Sequence, residues 1–294
     1  MTGGTRTVGI VSPGAMGSAV GAALARGGAR VVATLAGRSE RTRRLAEHAG
    51  IELLPDLESV IREADVVLSI APPEAARAIA DDVASAARAS AAQPLVADLN
   101  AVAPATVRAI AAELSHEGLD LVDGSISGPP PRKQGTTRVY LSGARAPEIA
   151  ELPMEGVERV VVGDEVGTAS AVKMSTASVY KGTSALLAHA LLAAHANGVL
   201  EHVLDDLRAG SPELVANVER RLASSASKSG RYVGEMREIA ATQDAAGLTP
   251  ALFAAMAEVF GSLSKSELAR TLPEDLPRDL KLEDVLAGLR RGGA

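Results

Sequence analysis

The feature that most constrains this chain is a regular switching between two hydrophobic periods over its first third. Short apolar runs stand at Thr7–Val11, Arg30–Thr34, Ile51–Leu54, Val66–Ile70, Leu95–Asp98 and Leu119–Asp123. Between them lie stretches with helical spacing: from Pro13-Gly14 to about Arg26, Ser39 to His48, Leu57 to Glu63, Glu74 to Ala87, and onward from Pro104. A strand, a crossover helix and a further strand, repeated, build a parallel sheet. The strand runs are continuously Val, Ile and Leu, as expected where helices cover both faces. The pattern predicts a doubly wound, mostly parallel α/β sheet.

That pattern changes further on. Arg138–Leu141 and Val157–Val162 still read as strands, but beyond Gly167 the apolar residues fall at three- and four-residue spacing. The expected division is an α/β domain over residues 1–165 and an all-α domain over residues 166–294. The longest apolar tract, Ala185 to Leu200, is interrupted by His189, His195 and Asn197, and it is shorter than a membrane span requires. A buried helix is expected there. The opening residues, Met1 to Arg6, lead directly into the first strand and carry no targeting pattern. A cytoplasmic protein is the expectation.

Composition removes several chemistries. Among 294 residues there is no cysteine, which excludes disulfides, thiol nucleophiles and cysteine-ligated metals. With 2% aromatic residues and a net charge of -6, neither the stacking platforms nor the basic footprint of a nucleic-acid binder is present. His189 and His195 fall on different helix faces, and His195 and His202 lie ~10 Å apart along a helix, so no metal site is expected. Neither a G-x-S-x-G elbow nor a G-x-x-x-x-G-K-[ST] loop occurs.

The first strand runs into Ser12-Pro13-Gly14-Ala15-Met16-Gly17, which has the spacing of the dinucleotide turn G-x-G-x-x-G with Ser12 at the first glycine position. In such a turn a pyrophosphate meets backbone N–H groups at a helix N-terminus. Gly14 stands where the phosphate approaches and Gly17 where helix and strand pack. About twenty residues on, a site for NAD presents an acid to the ribose hydroxyls. Here the stretch is Thr34-Leu35-Ala36-Gly37-Arg38-Ser39-Glu40-Arg41. No acid ends the strand, and Arg38 with Ser39 stands where a 2′-phosphate would lie, with Arg41 and Arg43 adding positive potential. NADP is the expected cofactor; the alternative is an ordinary solvated helix start.

Three later segments, with this turn, give the chain a resemblance to the β-hydroxyacid dehydrogenase and 6-phosphogluconate dehydrogenase superfamily. Val122-Asp123-Gly124-Ser125-Ile126-Ser127-Gly128-Pro129-Pro130 looks like that family's D-A-P-V-S-G-G substrate loop. Gly135 to Gly143 is similar to the G-T-L strand after it. Gly163 to Lys173 is similar to the glycine-rich approach to the catalytic lysine, with Ala169 at the last glycine. Ala71-Pro72-Pro73 and Asp98-Leu99-Asn100 follow strands where such proteins touch the nicotinamide ribose. The resemblance implies a Rossmann domain followed by a helical domain of the 6-phosphogluconate dehydrogenase C-terminal type, and a homodimer built on the long helix after Gly167.

Carried onto this sequence, the resemblance makes Lys173 the acid/base group. Ser127 and the Gly128 backbone would hold a substrate carboxylate. Ser12 to Gly17, Arg38, Ser39, Ala71, Pro72 and Asn100 would contact the cofactor. A charged lysine can polarise a carbonyl and donate its proton, and a neutral one can accept a proton from an alcohol. Four residues beyond the lysine the family carries an asparagine that holds substrate; here that residue is Ala177. Tyr180, ~20° from Lys173 on the helical wheel and ~10 Å along the axis, and Lys181 are the candidate replacements. Tyr180 is equally readable as a core tyrosine.

Pro129-Pro130-Pro131 departs from the family's glycines and resembles the imine reductases, which usually carry an Asp or Tyr in place of the lysine. The sequence therefore reads as an NADP-dependent oxidoreductase acting on a small hydroxy acid or its ketone. Its rivals are an imine reductase on the same scaffold and a non-catalytic NADPH-binding sensor.

Overall fold

The computed structural model describes residues 6–290; residues 1–5, where no targeting pattern was read, lie outside the described residues. The chain divides into two compact units, residues 1–174 and residues 175–294.

In the first unit the alternation becomes β1 (Thr7–Val11), α1 (Ala15–Arg26), β2 (Arg30–Thr34), α2 (Glu40–His48), β3 (Glu52–Leu54), α3 (Leu57–Glu63), β4 (Val66–Ser69), α4 (Ala76–Ser90), β5 (Leu95–Asp98), α5 (Pro104–His116) and β6 (Leu121–Ser127). β7 (Thr137–Ser142), α6 (Ala146–Ala150) and β8 (Val157–Gly163) follow. The eight strands form one sheet in the order β3-β2-β1-β4-β5-β6-β7-β8. All neighbours are parallel except β6 and β7. The chain reverses its winding direction between β1 and β4, which places a crevice outside the carboxyl ends of those strands.

Both faces of the sheet are covered. On one side Ile10, Leu24, Val31, Leu68 and Leu141 pack with α1 and α6; on the other Val67, Val96, Ile79, Val83, Ile110 and Leu114 pack with α4 and α5. Burying each such aliphatic side chain is worth about 1.5–3 kcal/mol, so this two-sided core stabilises the parallel strands. Local signals set the helix ends. Ser39 and Asp56 cap α2 and α3 by accepting from Thr42 and Ser59 N–H, and Pro104 opens α5 where its missing N–H costs nothing.

Two expectations are corrected. The sixth strand, read as Leu119–Asp123, starts at Leu121 and runs on to Ser127, because antiparallel pairing with β7 carries its ladder as far as Ser127 opposite Arg138. The segment read as a substrate loop is therefore mostly strand, and only from Gly128 does it leave the sheet. The helix read from Glu74 begins as a 3-10 turn at Pro73–Ala75, becomes α4 at Ala76 and extends to Ser90.

The long helix α7 (Thr168–Ala196) starts in the first unit, and its first seven residues are compact with the sheet. The second unit contains the rest of α7 with α8 (Leu200–Gly210), α9 (Pro212–Val215), α10 (Val218–Ala226), α11 (Ser229–Ala245), α12 (Ala251–Leu263) and α13 (Leu282–Arg290). Its core includes Leu191, Leu222, Met236, Ile239, Phe260 and Leu286, all essentially inaccessible. Tyr232 meets Phe260 edge-on at 5.2 Å between ring centres. Among the described residues no helix is long and apolar enough to cross a membrane.

Candidate active site

The turn after β1 separates the roles of its two glycines. A Cβ on Gly17 would come within 2.6 Å of the Ser12 carbonyl oxygen, so this glycine is required for helix and strand to approach. A Cβ on Gly14 meets nothing within 4 Å. The space in front of Gly14 is therefore open, and the N-terminus of α1 faces it with no side-chain cap and no acidic residue in its first turn. Uncapped N–H groups at the positive end of a helix suit an anion. Ser12 has φ +69, in the left-handed region that glycine normally fills, and Gly14 N–H donates to the Ser12 carbonyl at 2.8 Å. The chain thus keeps the backbone shape of the dinucleotide turn without its first glycine.

After β2 the backbone turns at Gly37 (φ +69) and presents Arg38, exposed, one residue before the cap of α2. Ser39 caps that helix through its hydroxyl at 3.3 Å from Thr42 N. Glu40, the nearest acid in sequence, stands beside Arg43 at 3.6 Å. The electrostatics at the end of β2 are cationic.

At the carboxyl ends of β4 and β5 a buried polar cluster joins two loops. Asn100, 2% exposed, accepts from Ala71 N–H at 2.6 Å and donates through Nδ2 to Ser69 Oγ and Asp98 Oδ2, both at 2.9 Å. Asp98 Oδ1 also accepts from Asn100 N–H at 2.8 Å. Asn100 thereby spends both amide hydrogens inside the protein and shapes the Ala71-Pro72 loop. Burial pushes the Asp98 carboxyl up to about 7 against these hydrogen bonds, and Asp123 adds like-charge repulsion.

Asp123 pairs in register with Asp98 on the next strand and is completely buried. Its Oδ2 accepts from Gly167 N–H at 2.9 Å, Ser170 N–H at 3.0 Å and Ser142 Oγ at 3.0 Å; its Oδ1 accepts from Ser170 Oγ at 2.7 Å. Desolvation still drives its carboxyl upward. Further along β6, Ser125 Oγ donates to the Ala169 carbonyl at 3.0 Å. Lys173, half-buried, donates through Nζ to the Ile126 carbonyl at 2.7 Å, beside Ser127 at the end of the strand. Gly128 follows with φ +109, and a Cβ there would strike the Thr136 carbonyl at 2.3 Å. Thr137 Oγ1 holds Pro129 by donating to its carbonyl at 2.6 Å.

The structure therefore sets Lys173 against the strand end that leads into Ser127 and Gly128. It also places Ser12–Gly17, Ala71-Pro72 and Asn100 at the carboxyl ends of β1, β4 and β5. In the second unit Tyr180 is 71% exposed. Lys181 forms an ion pair with buried Glu235, which Arg231 also reaches at 3.1 Å, and its ammonium lies 4.7 Å from the Tyr232 ring centre. Sequence reasoning quoted Asp98 and Asp123 within family-like segments without giving either a role, and it missed Ser170. The signal was present: two acids at the ends of consecutive apolar strands are costly unless they hold something. Among the described residues no group of His, Asp or Glu is arranged to hold a metal ion.

An open helix N-terminus after β1 at the reversal point of a parallel sheet is where Rossmann-type folds bind a dinucleotide. Residues 7–152 match the NAD-binding domain of 6-phosphogluconate dehydrogenase, and residues 194–263 match a domain of unknown function, DUF1932. A solved conserved protein of unknown function, described as structurally similar to 3-hydroxyacid dehydrogenases, is 31% identical over 88% of this chain and 96% of its own, with a TM-score of 0.65. The chain belongs to the β-hydroxyacid dehydrogenase and 6-phosphogluconate dehydrogenase-like superfamily.

The 3-hydroxyisobutyrate dehydrogenase of Mycobacterium tuberculosis, solved with L-serine, shares the fold at 19% identity, covering 98% of this chain and 100% of its own, with a TM-score of 0.69. A reductive aminase from Aspergillus terreus, solved with NADPH4, cyclohexanone and allyl amine, shares it at 16% identity, covering 89% and 93%, with a TM-score of 0.56. An uncharacterized 28.5 kDa protein of Methanothermus fervidus is 28% identical over 171 residues, 58% of this chain; the match spans 64% of that relative's length. The fold is thus that of hydroxyacid dehydrogenase-like and imine reductase-like oxidoreductases with an NAD(P)-binding domain.

Proposed function

We propose that this protein is an NADP-dependent oxidoreductase acting on a small polar hydroxy acid or its ketone, with Lys173 as the acid/base group. The observation that carries this reading is the Lys173 ammonium held by the Ile126 carbonyl, at the strand end leading into Ser127 and Gly128. Residues 1–165 bind the cofactor, and residues 166–294 supply substrate and dimer contacts.

The residues present fit a dinucleotide. The open space at Gly14 and the uncapped start of α1 would receive a pyrophosphate, Arg38, with Ser39 beside it at the cap of α2, would hold a 2′-phosphate, and the Ala71-Pro72 loop, fixed by Asn100, would stand on the nicotinamide side. The bound nicotinamide supplies the hydride chemistry. Ser127 Oγ and the Gly128 N–H orient the substrate carboxylate. Lys173 donates its proton to a carbonyl oxygen, or takes one from the hydroxyl in the reverse direction, while the Ile126 carbonyl restrains its amine. Where the family asparagine is Ala177, Tyr180 or Lys181 is the proposed replacement in the substrate grip. Val179, Tyr180 and Leu186, each more than 60% exposed on α7, support a homodimer that covers this helix. A cytoplasmic setting accords with this chemistry.

The test is NADPH consumption against two panels, 2- and 3-hydroxyacids with their ketones, and cyclic imines. Turnover of a keto acid that falls by about 10²-fold or more in Lys173→Ala supports the proposal. The run Pro129-Pro130-Pro131 favours a second reading, an imine reductase, and imine turnover that survives Lys173→Ala would establish it.

A further inference from the structure

A lysine side chain has four rotatable methylenes, so a proton donor of this kind needs its helix placed accurately before its amine can be. α7 opens after Gly167 with no acidic residue in its first turn. Its first amides are instead satisfied from the sheet. Gly167 and Ser170 N–H donate to Asp123, and Ala169 N–H donates to Ser142 Oγ at 3.0 Å, which itself donates to Asp123. Three residues later on each element, Lys173 is tied to Ile126.

We infer, resting on the reading of Lys173 as the acid/base group, that Asp123 is the positioning residue for it. A buried strand carboxylate caps the catalytic helix from outside and sets its register against β6. The two ties lie ~4.5 Å apart along the helix and ~10 Å apart along the strand. Anchors at two separated points fix both the translation and the rotation of the helix start, which one contact would leave free. Ser125 Oγ on the Ala169 carbonyl closes the gap between them.

The chemistry of the contact argues for placement over plain adhesion. Burying a carboxylate costs several kcal/mol, and well-packed apolar residues commonly hold a helix to a sheet as firmly. A carboxylate contributes what apolar packing lacks, namely directional bonds to particular N–H groups and a negative charge at the positive helix end. Asp123 directs three of its four accepted bonds to Gly167 and Ser170, one turn before Lys173. Slippage of α7 by a single residue would break all three.

The experiment reads Lys173 directly and needs no substrate. The full-length protein is acylated with acetic anhydride at fixed pH, and modification of each lysine is followed by peptide mass spectrometry, with exposed Lys133 and Lys281 as internal references. In Asp123→Asn and in Ser170→Ala, Lys173 is expected to react faster by about fivefold or more, the scale of one lost charge-assisted hydrogen bond, while the references and NADPH affinity stay within about twofold. Ser170→Ala removes a single side-chain bond and carries the test if Asp123→Asn does not fold. Unchanged Lys173 reactivity in a folded, NADPH-binding variant overturns the inference. Lys173→Met separates it from the functional reading: full turnover there removes the acid/base role, while the effect of Asp123 on Lys173 reactivity stands or falls by the acylation rates. Where turnover is found, Asp123→Asn lowers kcat with KM for NADPH unchanged, a split that general loosening of the fold does not give.

Discussion

Asn100 donates through Nδ2 to the carboxylate of Asp98 at 2.9 Å, inside a cluster only 2% exposed at either residue. Burial raises this carboxyl from 3.8 to about 7, so the folded protein retains a proton there that the unfolded chain releases near pH 4. Between those values the native state binds more protons than the unfolded state, and stability falls as pH rises. The contribution is fully present below about pH 4 and lost by the time the pH has passed about 7. Unfolding free energies from urea titrations between pH 5 and pH 8 are expected to decline by on the order of 3 kcal/mol more in the wild type than in Asp98→Asn. Parallel pH profiles for the two proteins would remove Asp98 as the source.

Ser12 occupies φ +69 at the end of β1, where a side chain is strained and glycine is not. Replacing it relieves that strain and adds back the larger chain entropy of an unfolded glycine, two effects of opposite sign. Strain of about 1–2 kcal/mol outweighs an entropy cost of about 0.5–1 kcal/mol. Ser12→Gly is therefore expected to raise the thermal midpoint slightly. A lowered midpoint would mean that the hydroxyl makes a compensating bond in the free protein.

Gly14→Ala and Gly17→Ala form a paired test of the turn. At Gly17 the new methyl collides with a backbone carbonyl at 2.6 Å, and backbone cannot yield cheaply. Gly17→Ala should cost about 2 kcal/mol or more in chemical denaturation. At Gly14 the methyl enters open space, so folding stays close to wild type while it intrudes on the phosphate's approach. NADPH affinity is expected to fall about tenfold or more with little change in stability. The reverse assignment of the two effects would contradict the placement of the pyrophosphate.

Much of the fold was legible because the sheet is buried on both faces. β1, β2 and β5 run as read, at Thr7–Val11, Arg30–Thr34 and Leu95–Asp98, since continuous aliphatic runs flanked by turn residues have few other uses. Leu57–Glu63 was equally plain, bounded by the Asp56 cap. The end of β6 was not. Gly124, Ser125 and Ser127 carry no strand signature, and only the partner strand Thr137–Ser142 keeps them extended. The site divides in the same way. The glycine turn announces itself through spacing and Lys173 through the family resemblance, whereas Asp123 and Ser170 are 47 residues apart, and their 2.7 Å bond is a fact of topology that no local pattern contains. Asn100 was visible, but its full commitment to Ala71, Ser69 and Asp98 was not.

Arg38 offers the sharpest test of cofactor choice. It follows Gly37 at the end of β2, exposed, where an NAD-specific relative would present an acid, and Ser39 beside it spends its hydroxyl on the cap of α2. The guanidinium is therefore the main group at this point able to grip a 2′-phosphate, through paired charge-assisted bonds. Arg38→Ala is expected to weaken NADPH by about 1.5–3 kcal/mol, roughly 10- to 100-fold in Kd, with NADH affected less than about threefold. Fluorescence titration of both nucleotides measures the difference, and raising the salt concentration should shrink the wild-type preference for NADPH because the contact is exposed and ionic. Equal losses for both nucleotides would take Arg38 out of phosphate recognition and leave the Rossmann turn without a cofactor preference of its own.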